Sequence, residues 1–76
     1  MKFNVYLKRD FVKRFMLDND ISKKELSESL KISTASLYNL LKDKYEPHYT
    51  TQVKIKNFFI ERGYKINEVF DIVEKD

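Results

Sequence analysis

The sequence predicts an all-α domain of five short helices behind a short N-terminal strand or arm, and three observations carry that prediction. Glycine and proline occur once each in 76 residues, so helix breakers are scarce. Apolar residues recur three and four apart through most of the chain, the period of one helical face. Polar residues able to cap a helix stand just ahead of those runs. The length holds the chain to a single domain, residues 1–76, because a second core would need roughly another hundred residues. With 42% hydrophobic residues, including six Phe and five Tyr, that core fills without metal or disulfide staples.

Phe3, Val5 and Leu7 alternate with Lys2, Asn4 and Tyr6, a period of two that suits a half-exposed strand or extended arm. From about Lys8 the period changes: Leu7, Phe11 and Phe15 fall four apart with Val12 and Met16 beside them, giving a first helix that ends near Asp18-Asn19-Asp20. Ser22-Lys23-Lys24-Glu25 has the form of a capping box, so a second helix starts at Lys23 and buries Leu26 and Leu30 with the small Ser27 between them. Ser33 caps a third helix running to about Asp43, with Leu37, Leu40 and Leu41 inward. The stretch Lys42 to Tyr49, containing Pro47, reads as a loop. Thr50 or Thr51 then caps a fourth helix burying most of Val53, Ile55, Phe58, Phe59 and Ile60, which Gly63 ends in a left-handed conformation. Asn67 caps a fifth helix with Val69, Phe70 and Val73 apolar, and Glu74-Lys75-Asp76 is expected to fray.

No cysteine is present, which excludes disulfides and thiolate metal sites and fits a reducing, cytoplasmic setting. No apolar run has the length of a secretory or membrane-spanning segment, so no membrane partner is expected. The formal net charge is +3. The excess sits early: Met1 to Lys24 carries Lys2, Lys8, Arg9, Lys13, Arg14, Lys23 and Lys24 against Asp10, Asp18 and Asp20. Such a distribution favours a polyanion without requiring one.

Two short helices joined by a tight turn, residues 22–43, form the unit that lets one helix enter the DNA major groove. The first helix packs through Ser27, flanked by Leu26 and Leu30, against a second held by Ile32, Leu37 and Leu40. This leaves Thr34, Ala35, Tyr38 and Asn39 facing outward as candidate base-reading residues. Asn39 suits adenine bidentately, Thr34 offers a hydroxyl or a methyl, and Ala35 permits close approach or meets a thymine methyl. Tyr38 has three options: stacking, a phosphate, or the edge of the core. Lys23, Ser33, Ser36, Lys42, Lys44 and Tyr45 are the candidate phosphate contacts, although solvated surface is the ordinary fate of a lysine.

The run I-S-K-K-E-L-S-E-S-L-K-I-S-T-A-S-L-Y-N-L-L-K, Ile21 to Lys42, resembles the helix-turn-helix of the Cro and CI repressor family of phage and bacterial regulators. Pro47 resembles that family's loop proline, and I-K-N-F-F-I-E-R-G-Y-K-I-N-E-V-F is similar to its closing helix pair, so the likeness spans Val12 to Phe70. It implies a lambda-repressor-like fold, with Lys23 at a DNA-backbone position often held by glutamine. It also implies base reading by Thr34, Ala35 and Asn39, and phosphate contact by Lys42 and Lys44. Two positions depart from the family pattern: Lys31 stands where the turn usually has glycine, and Ser27 where the helix usually has alanine. The connection Tyr45 to Tyr49 is longer than the family's usual loop.

The function expected is sequence-specific binding of a double-stranded DNA operator by a transcriptional regulator of the repressor type, without cofactor or metal. The alternative on the same fold is a protein-interaction module, such as an antirepressor or antitoxin, whose partner is another regulatory protein. An enzyme is not expected, since there is no nucleophile elbow, phosphate-cradling glycine loop or zinc motif. His48, the sole histidine, reads as an exposed loop residue. A homodimer would bring two half-sites into reach, with Phe3 to Leu7 or the last helix as the spare surface.

Overall fold

Among the described residues, two paired strands flank five helices. The computed structural model describes residues 2–43 and 46–75. The order is β1 (Lys2–Leu7), α1 (Arg9–Asp18), α2 (Lys23–Leu30), α3 (Thr34–Lys42), α4 (Tyr49–Glu61), α5 (Ile66–Val69) and β2 (Phe70–Lys75).

The helix boundaries follow from local chemistry. Glu25 N–H donates to Ser22 Oγ at 3.1 Å and Ser22 N–H to Glu25 Oε1 at 3.1 Å, the reciprocal capping box that starts α2. Ser36 N–H donates to Ser33 Oγ at 3.0 Å at the start of α3. Gly63, at φ 88°, turns the chain after α4 as glycine can without strain. The start of α4 differs from expectation. It begins at Tyr49 behind His48, which gives no side-chain cap, so Thr50 and Thr51 lie inside the first turn. There Gln52 Nε2 donates to the carbonyl of Pro47 at 2.8 Å, and Pro47 itself is buried.

Lys31 occupies the left-handed region at φ 61°, ψ 40°, in the turn between α2 and α3. A side chain there costs about 1–2 kcal/mol relative to glycine, part of which glycine forfeits through its larger unfolded-state entropy. Lys31→Gly is therefore expected to stabilise the domain by about 0.5–1 kcal/mol. A thermal melt should rise by about 2–8 °C. The hydrogen bond from Lys54 Nζ ends on the carbonyl of Lys31, so the substitution leaves it in place.

One core binds these elements. Leu26, Leu37 and Phe59 have no exposed surface, and Leu7, Val12, Leu30, Leu40, Leu41, Ile55, Val69 and Phe70 pack with them. Phe11 and Phe15 of α1, Phe58 and Phe59 of α4, and Tyr64 form one cluster of edge-to-face rings at centroid distances of 4.9–5.9 Å. Such pairs add to the burial of the rings themselves. Ile60, expected inward, is exposed. Ser27 is the one buried polar side chain among the described residues.

The fold is not purely all-α. β1 pairs antiparallel with β2, placing Phe3 opposite Glu74, Val5 opposite Ile72 and Leu7 opposite Phe70. The expected fifth helix shrinks to the single turn Ile66–Val69, with Asn67 inside it rather than at its cap, and Lys65 N–H donates to Glu68 Oε2 at 2.7 Å. Glu74 and Lys75, expected to fray, belong to the strand. The reason is a competition of periods. Val69, Phe70 and Val73 fit a helical face, but Phe70-Asp71-Ile72 also alternates, and Ile72 and Val73 are β-branched. Pairing with β1 decides for the strand by burying Leu7 and Phe70 together on one face.

Candidate nucleic-acid interface

α2 and α3 meet across the turn at Lys31, with Leu26, Ser27 and Leu30 on one side and Leu37, Leu40 and Leu41 on the other, all buried. The outward side of α3 carries Ala35, Tyr38 and Asn39, with Thr34 at its edge, all exposed. Asn39 makes no side-chain hydrogen bond among the described residues. Its amide is left with both donors and its acceptor unengaged, the inventory that bidentate reading of a base edge uses. Thr34 is different, because its Oγ1 lies 3.1 Å from Ser27 Oγ.

Tyr38 leans toward the side of the helix pair rather than standing clear. The ammonium of Lys23, at the start of α2, sits 4.9 Å from its ring centroid, and that of Lys42, at the end of α3, 6.0 Å away. Both are within cation–π range. Lys13 of α1 joins them, since Lys13, Lys23, Tyr38, Leu41 and Lys42 line one open cleft of about 210 Å³. The only ion pair among the described residues is Arg14 with Asp18, at 3.4 Å on the surface. The three lysines of the cleft thus carry charge uncompensated by an ion pair among the described residues, which focuses a positive potential on one rim of α3. Arg9, four residues before Lys13, donates from Nη1 to the carbonyl of Lys42 at 3.0 Å. It ties α1 to the C-terminus of α3, where a cation opposes the helix dipole.

The serines separate into two roles. Ser33 Oγ accepts from the Ser36 N–H and donates its own proton to Ser36 Oγ at 2.8 Å, so its hydroxyl is engaged within the helix cap. Ser36 keeps its proton, and only it has a hydroxyl donor to offer a phosphate. Lys44 and Tyr45, the loop candidates, lie outside the described residues. The structure brings Lys23, Lys42 and Tyr38 together and sets Thr34, Ala35 and Asn39 beside them. Lys13 is the residue that reading the sequence missed. Its signal was there: Arg9 and Lys13 stand four apart on α1, beside the apolar stripe of Val12 and Phe15.

His48 is exposed in the loop before α4, and no group of three or more potential metal ligands occurs among the described residues. Among the described residues, no helix is long and apolar enough to cross a membrane. Neither a curated protein nor a solved structure matches the chain. A family model does, over residues 12–53, from the second turn of α1 through α2 and α3 into α4. That match covers more than half of the sequence and contains the whole helix pair and its basic cleft, and the chain belongs to the family of Cro/C1-type helix-turn-helix DNA-binding domains.

Proposed function

We propose that this protein is a sequence-specific regulator of transcription, of the phage or bacterial repressor type, that works in the cytoplasm by laying α3 in the major groove of an operator. The observation that carries this reading is the exposed face of α3 flanked by three lysines that have no ion pair among the described residues. Thr34, Ala35 and Asn39 meet base edges. Lys13, Lys23, Lys42 and the Ser36 hydroxyl hold the phosphates that set the register, together with Lys44 and Tyr45 of the following loop. Tyr38 serves the backbone side by keeping the heads of Lys23 and Lys42 over its ring.

A homodimer completes the reading, since paired half-sites call for two copies. Of the two surfaces the sequence offers, the N-terminal and the C-terminal segment, we favour the C-terminal one. β1 has one edge on β2, and on its other edge Val5 N–H donates to Glu46 Oε2 at 2.7 Å. The outer edge of β2 remains available for antiparallel pairing with a second copy.

Selection from a random duplex pool, followed by anisotropy titration across salt, tests the function. The expected result is a palindromic motif, bound by two chains, with log affinity falling against log salt by about 0.9 per phosphate held. A pool without enrichment, with weak binding that vanishes at physiological salt, would overturn it.

The rival is a protein-binding module such as an antirepressor or antitoxin. It is favoured by one observation: Phe3, Ile72 and Val73 of the ribbon are 50%, 47% and 41% exposed. It predicts capture of a protein partner by a chain that selects no DNA.

A further inference from the structure

The hydroxyl protons beside the recognition helix can be placed one at a time. Ser27 is 1% exposed, and its Oγ donates to the carbonyl of Lys24 at 2.8 Å. A serine hydroxyl has a single proton. In the 3.1 Å contact between Ser27 Oγ and Thr34 Oγ1, Thr34 is therefore the donor. The relay runs from Thr34 O–H to Ser27 O–H to the Lys24 carbonyl, its direction fixed from the buried end, and each bond strengthens the next. Thr34 stands exposed at the first position of α3, yet its proton points inward. With that proton engaged, what the Thr34 side chain has left to offer a base is a lone pair of Oγ1 and its methyl group.

We infer that Ser27, a buried residue out of reach of DNA, sets the base preference of Thr34 by holding it as an acceptor, so that guanine is disfavoured at the base Thr34 faces. The inference rests on the reading of α3 as the base-reading helix. In the major groove guanine shows two acceptors, N7 and O6, which face an outward lone pair unfavourably. Adenine N6 and cytosine N4 are donors and match it, while the thymine methyl meets the threonine methyl. To donate to guanine, Thr34 must break its bond to Ser27. Ser27 is thus a positioning residue for specificity, and alanine, similar in size, would remove the relay while keeping the packing of α2 on α3.

The experiment compares the motifs selected from one random duplex pool by the wild-type protein, by Ser27→Ala and by Thr34→Val, with thermal melts alongside. The wild-type motif should deplete guanine at one position of each half-site. Ser27→Ala frees the threonine proton and should raise guanine there by about tenfold relative to wild type, with every other position unchanged. Thr34→Val, which needs nothing from Ser27 to fold, should lose the adenine and cytosine preference at the same position and keep thymine. A Ser27→Ala motif identical to wild type, or one relaxed at all positions, overturns the role of Ser27 and leaves base reading by α3 intact. An unchanged Thr34→Val motif overturns it equally, even if Ser27→Ala proves too unstable to assay. A wild-type pool with no motif overturns base reading itself, and this inference with it.

Discussion

Phe59→Ala is expected to remove about 3–5 kcal/mol of stability. A domain of this length has only about 4–11 kcal/mol in total. The ring has no exposed surface and touches aromatic rings from every side: Phe11 at 5.4 Å, Phe15 at 5.0 Å, Phe58 at 4.9 Å and Tyr64 at 5.9 Å. Truncation opens a void at the place where α1 and α4 meet, and four edge-to-face contacts go with it, so collapse around the void cannot recover them all. The melting temperature should fall by about 15 °C or more. Phe3→Ala is the matched control, because Phe3 is half exposed at the far end of β1 and its loss should stay within about 0.5 kcal/mol. Equal melts for the two variants would mean that the core is not centred on α1 and α4.

The two substitutions also separate what the sequence made legible from what it did not. Phe11, Phe15, Phe58 and Phe59 stand at helical spacing, and their assignment to the core follows from periodicity alone. Ser22 with Glu25, and Ser33 ahead of Leu37, mark helix starts because an orphan N–H must find an acceptor nearby, a demand met within four residues. Lys31 is legible as the turn only through the family resemblance, which puts it where glycine usually stands, and its φ of 61° lies in the left-handed region. The C-terminal strand is not legible in this way. Whether Phe70 to Lys75 is helix or strand depends on Leu7 and Val5, more than sixty residues earlier, and no window along the chain contains both partners. The β-branched pair Ile72-Val73 was the one local hint.

The candidate site divides along the same line. The outward face of α3 follows from counting along one helix, but the cleft needs Lys13 from α1, Lys23 from α2 and Lys42 from α3, three elements whose approach only packing reveals. The hydroxyl directions are likewise tertiary facts. Ser33 and Ser36 read alike from the sequence, but the proton of Ser33 is engaged inside the cap and that of Ser36 is not. Ser27 reads from the sequence as a small residue for helix packing, while its hydroxyl also links two helices through Thr34.

Reversing Lys23 and Lys42 together to glutamate should lower affinity for the selected duplex by at least about a hundredfold. Each lysine held to a phosphate makes a charge-assisted hydrogen bond of about 1.5–3 kcal/mol, and the new carboxylates add repulsion to the loss. The salt slope should shrink by about two contacts' worth, about 1.8 in log units. The fold should survive, because both side chains are exposed and neither has an ion pair among the described residues. Glutamate suits the first turn of α2, and at the end of α3 it costs only about 0.3–1 kcal/mol against the helix dipole. Lys13→Gln, tested beside it, isolates the contribution of α1: a slope reduced by about one contact, with the selected motif unchanged, places the third lysine on the phosphate backbone. The preserved motif matters as much as the lost affinity, since phosphate contacts position the helix without reading the bases. If the double reversal binds as tightly as wild type, the cleft is ordinary solvated surface and other cations hold the phosphates.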